Sequence, residues 1–176
     1  MSKMPKKESC LEELKKKYRA IQSKYKLPDF AYLNENFEVE KLAEEETDFL
    51  LRGVRKIILE KIVSYLQFNE LLLNPSNGPM FFFAFVSSFS LDDKKTAESL
   101  YEKLVDFEIE AMDLNNEYSE EKEAAFIKRA CKEWQDVKED ISSVLKSIKA
   151  NWKVKREKKD RKGRRTERMK EGGRKK

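Results

Sequence analysis

The chain has 176 residues, 40% of them charged, with only five glycines and four prolines, a composition of long helices rather than turn-rich sheets. It contains no histidine, so the commonest general base and metal ligand is missing, and its two cysteines, Cys10 and Cys131, are too few for a disulfide framework or a zinc site. The net charge of +5 is unevenly spread: residues 153–176 carry 14 Lys and Arg against four acids, leaving 24 basic and 29 acidic side chains on the rest.

An acidic body with a basic tail points to a polyanionic partner more than to a catalytic cleft. The length fits one helical domain, expected over 9–152, after a flexible N-terminus at 1–8 and before a basic tail at 153–176 that is disordered or an extended helix. MSKMPKKESC has no apolar run to act as a secretory signal, so a cytoplasmic setting is expected.

Ser9 with Glu12 three residues on reads as a capping box that opens the first helix, which ends before Leu27 and Pro28. Its apolar positions, Leu11, Leu14, Tyr18, Ile21 and Tyr25, form a narrow seam like that of a coiled coil. Pro28 and Asp29 predict a turn and a short helix through Leu33. A long helix is expected from Val39 to Leu73, with a stripe of Leu42, Leu50, Val54, Ile57, Ile58, Ile62, Tyr65, Leu66, Asn69, Leu72 and Leu73. Gly53 inside it implies close approach by a neighbour or a bend.

LNPSNGP at 73–79 is the strongest breaker in the chain, and Pro79 suits the first position of a short Phe-rich helix, PMFFFAFVSSFS. That stretch is too short to cross a bilayer, which takes about 20 apolar residues. Core packing is its first reading. A partner or dimer surface made of Phe81, Phe82, Phe83, Phe85 and Phe89 is the second. Ser90 and Asp93 open the next helix, which buries Ala97, Leu100, Tyr101, Leu104, Phe107 and Met112 and ends at Asn115 and Asn116. Ser119 opens the last one. Its stripe repeats at sevens through Ile127, Trp134, Ile141 and Ile148, filled in by Cys131, Val137, Val144, Leu145 and Trp152. Helix formers continue to about Lys162, ahead of Gly163. The expected fold is all-α, a bundle of about five helices, partly coiled-coil-like, with a basic C-terminal extension.

The nucleotide-binding glycine motifs are absent. The acids Glu44, Glu45, Glu46, Asp48, Glu120, Glu121, Glu123, Glu133 and Asp136 resemble loosely the carboxylate sets of all-α nucleoside-triphosphate pyrophosphohydrolases, without their EExxE order. A solvated helix face is the plainer reading, with a Mg-dependent nucleotide hydrolase as the alternative. No catalytic residue, resident metal or cofactor is assigned.

The basic tail is the more specific feature. Lys153, Lys155, Arg156, Lys158, Lys159, Arg161, Lys162, Arg164, Arg165 and Arg168 recur at intervals that suit a line of phosphates. RNA, ribosomal RNA included, is the preferred partner, with a DNA-associated or protein scaffold as the near alternative. No aromatic residue follows Trp152, so base stacking is not expected from the tail, and its lack of apolar residues argues against a membrane. The apolar seams also point to a protein partner or a homodimer.

The runs LPDF, LNENFEVEK, ETDFLLR, LLNPSNGPMFFF and EKEAAFIKRACKEW resemble a family of small all-helical archaeal proteins over about residues 10–150. The resemblance implies an archaeal cytoplasmic setting. It carries no activity and no site residues, and it does not reach the tail.

Overall fold

The computed structural model describes residues 6–45, 47–87 and 89–172, with the side chains of all of these except 6–9, 77, 160 and 162–172. Among the described residues six α-helices run in the order α1 (Lys6–Tyr25), α2 (Phe30–Phe37), α3 (Leu50–Leu73), α4 (Met80–Val86), α5 (Leu91–Asn116) and α6 (Glu120–Gly172). Short 3-10 turns cover Val39–Glu44 and Pro75–Asn77, and no strand occurs among the described residues. The fold is all-α.

Helix ends follow local chemistry. α1 is described from Lys6 and Ser9 is helical within it; the side chain of Ser9, and with it the expected capping box, and residues 1–5 of the expected flexible N-terminus lie outside the described set. At its far end Lys26 takes a left-handed φ of 53° and Leu27 N–H donates to Gln22 O at 3.1 Å, a 6→1 closure that satisfies a terminal carbonyl. α2 starts on the Asp29 carboxylate, which accepts from Tyr32 N–H at 2.6 Å, and it runs one turn past the predicted end at Leu33.

The long helix expected from Val39 is interrupted. Glu38, at φ 62°, turns the chain into the 3-10 segment, whose Leu42 folds back on α3. A Cβ on Gly53 would stand 3.0 Å from Leu42 Cδ2, so the glycine marks close approach rather than a bend. α3 then restarts behind Thr47, whose Oγ1 accepts from Phe49 N–H at 3.2 Å.

The described residues group into two compact units, Met1–Gln67 with Tyr101–Val137 and Phe68–Leu100 with Lys138–Lys176. In the first, Leu14, Tyr18, Leu33, Phe37, Ile58, Ile62, Phe107, Phe126, Ile127 and Trp134 are buried. Trp134 packs on Phe37 with ring centroids 4.8 Å apart, and Tyr18 donates to Pro28 O at 2.7 Å. Cys131 is core as expected, and burial pushes its thiol up to about 12, which leaves it protonated and unreactive at neutral pH.

The second unit gathers Leu72, Phe82, Val144 and Ile148, with Phe68, Leu71, Phe85, Val86 and Phe89 against them. Asn69 is fully buried there and donates to Ala97 O. Three residues expected inside face water: Leu145 (37% exposed), Trp152 (43%) and, in the first unit, Met112 (59%). The positions at sevens, Ile127, Trp134, Ile141 and Ile148, stay buried, whereas Leu145 and Trp152 lie off that repeat and Met112 lies on α5.

The Ser90–Asp93 capping box forms as read. Ser90 N–H donates to the Asp93 carboxylate at 2.9 Å, and Asp93 N–H to Ser90 Oγ at 3.1 Å. The Ser147 hydroxyl also donates to Asp93, and this bond first, then those from Ser90, hold its carboxyl below the usual range against the opposing effect of burial. A depressed folded pKa stabilises above the ordinary carboxylate value of about 3.9 and loses that effect as pH falls through the lower folded value. Asp93→Ala should therefore cost about 1 kcal/mol at pH 7, and the gap from the parent should narrow as pH falls below about 4 in urea titrations.

Candidate nucleic-acid interface

The basic residues continue α6 without a break, through Gly163 to Gly172. One glycine costs a helix about 1 kcal/mol, too little to end it among flanking Lys, Arg and Glu. The whole helix is about 80 Å long at 1.5 Å per residue. Lys153, Arg156, Lys158, Lys159 and Arg161 are exposed along it. The side chains of Lys162, Arg164, Arg165 and Arg168 lie outside the described set.

Lys155 differs from its neighbours. It is half-buried, and its ammonium donates to Ala84 O and, at 2.6 Å, to Ser87 Oγ at the C-terminal end of α4. A cation there satisfies terminal carbonyls and meets the negative end of the helix dipole. Lys155 is thus a fastener between α4 and α6 rather than a free phosphate ligand. One turn earlier Trp152 meets Phe85 edge-on at 5.5 Å. Both contacts bind the root of the basic helix to the Phe-rich helix.

α4 divides its phenylalanines. Phe82 is buried (6% exposed) and belongs to the core of the second unit, so it cannot serve as the surface residue of the second reading. Phe85 and Phe89 are partly buried against that core, whereas Phe81 and Phe83 are about half exposed, at 47% and 49%, and Met80 almost wholly.

Among the candidate acids of the first unit Glu123 and Glu120 are structural, whereas Glu44, Glu45 and Asp48 are exposed. Glu123 is fully buried and accepts from Arg55 Nε at 2.6 Å, with Arg52 Nε 3.4 Å from its other oxygen. Arg55, also fully buried, donates through Nη2 to Asn115 Oδ1 at 2.8 Å. Glu120 accepts from Lys24 at 2.8 Å and from Tyr25 at 2.7 Å, and these bonds, that from Lys24 foremost, hold its carboxyl below the usual range. Glu133 lies 3.8 Å from Arg129, Asp136 faces solvent, and Glu46 lies outside the described residues. Among the described residues no three acids or cysteines converge on a metal-sized position.

The Arg55–Glu123 pair was missed in the sequence although a signal was there. Arg55 stands four residues after Leu51 and three before Ile58, and Glu123 four before Ile127, so each charge occupies a position on an apolar stripe. No described helix is long and apolar enough to cross a membrane. Comparison with protein-family models, curated proteins and solved structures finds no match to this chain.

Proposed function

We propose that this protein is a non-enzymatic, RNA-associated helical factor that binds phosphates through the C-terminal part of α6. Ribosomal RNA or a ribonucleoprotein in an archaeal cytoplasm is the target, and the acidic body engages protein, a second copy of the chain included. The observation that carries the reading is a continuous basic helix whose Lys153, Arg156, Lys158, Lys159 and Arg161 are exposed while its root is fastened by Lys155. Each phosphate neutralised releases a counterion, and five such contacts give log K a slope against log salt of about −4.

The test compares the full chain with a form ending at Trp152, and with a full-length variant carrying Lys158→Gln, Lys159→Gln and Arg161→Gln. Truncation should abolish retention on RNA, and the triple variant should flatten the salt slope by about 2 to 3. Retention that survives truncation, or that ignores salt between 50 and about 200 mM, would refute the reading. A DNA duplex as competitor separates RNA preference from general polyanion binding.

A further inference from the structure

We infer that the nucleic acid taken by the basic helix is single-stranded, and that the exposed rings of Phe81 and Trp152 stack on its unpaired bases. The inference rests on the nucleic-acid reading above. The tail by itself offers no ring after Trp152, but the fold of the second unit supplies one from α4. Trp152 touches Phe85 at 5.5 Å, and Phe85 touches Phe81 at 5.5 Å, so an aromatic row leads from the basic helix to Phe81.

Trp152 and Phe81 are 43% and 47% exposed, whereas Phe83, two residues after Phe81, lies on the other side of α4. Arg156 follows Trp152 by four residues and shares its helix face, and Lys153 follows it directly; both are exposed. Cations that track phosphates beside rings that accept bases form the pattern of single-strand binders. In a duplex the base faces are hidden in the stack, and a half-wet phenylalanine would gain nothing from it. The Lys155 bonds to Ala84 O and Ser87 Oγ keep α4 against the basic helix, so the rings and charges act as one surface.

The experiment uses the full chain with a short poly-uridine strand and a blunt RNA duplex of equal length. Phe81→Ala should weaken poly-uridine binding about tenfold to a hundredfold and leave duplex binding unchanged, while Phe83→Ala should change neither. Phe81→Leu keeps the apolar bulk, yet should bind as poorly as Phe81→Ala, while Phe81→Tyr should bind like the parent. Emission from exposed Trp152 should be quenched by the single strand and not by the duplex; buried Trp134 supplies the constant background. Unchanged poly-uridine affinity in Phe81→Ala, while truncation at Trp152 still abolishes it, would overturn stacking and leave the RNA reading standing. Loss of a dimer mass without loss of affinity would also overturn it, by assigning the rings to a second copy of this chain. Retention of neither probe by the full chain would sink the RNA reading itself.

Discussion

Glu123→Ala should lower stability by about 3 to 5 kcal/mol, the range for removing one partner of a buried ion pair. Glu123 and Arg55 are both fully buried, and the carboxylate is the acceptor for Arg55 Nε at 2.6 Å. Without it the guanidinium keeps its charge, because arginine does not deprotonate in proteins, and holds only the Asn115 bond. Arg52 loses the same partner but can turn outward, since its side chain is 27% exposed and already lies over the Tyr118 ring at 4.9 Å. The double variant Arg55→Met with Glu123→Leu removes both charges and fills their space, so it should be closer to the parent than either single change. Urea unfolding at constant m-value measures both. A loss below about 1 kcal/mol in Glu123→Ala would mean that water reaches the pair.

Phe82→Ala should cost a similar about 3 to 5 kcal/mol, and Phe83→Ala about 1 kcal/mol or less. The two residues are neighbours of one type in one short helix, so the contrast isolates burial. Phe82 is packed with Leu72, Val144 and Ile148, has Phe81 stacked at 4.6 Å and Phe68 at 6.2 Å, and meets the bare Gly78 backbone. A Cβ on Gly78 would stand 3.3 Å from the Phe82 ring, so the breaker also makes room for it. Losing the ring leaves a cavity whose walls are other large side chains, and it frees α4 from the surface on which Phe81 and Phe83 are displayed. Equal stability losses at 82 and 83 would contradict the assigned faces.

The helices were legible where a signal lies within one or two turns. Period 3.6 in Val54, Ile58 and Ile62, the Ser90–Asp93 box and the Ser119 cap each depend on residues three or four apart, and each forms as read. The break at 45–49 was not legible, because Leu42 continues the period of α3 and the competing cue, Thr47 before Phe49, is weak. The basic helix was legible as charge and its continuity past Gly163 was not, since one poor helix former is judged by its neighbours.

Charge segregation and the all-helical class were therefore decided by the sequence alone, since composition and helical period are properties of short stretches. Which phenylalanines of MFFFAFV are covered was decided by tertiary structure, because a segment apolar on every side has no periodic preference for one face. The same holds for the Arg55–Glu123 pair, joined across 68 positions, and for the Lys155 contact with Ala84 across 71. A buried charge is tolerated only when its partner arrives, and the chain path that brings it there is not written in either residue.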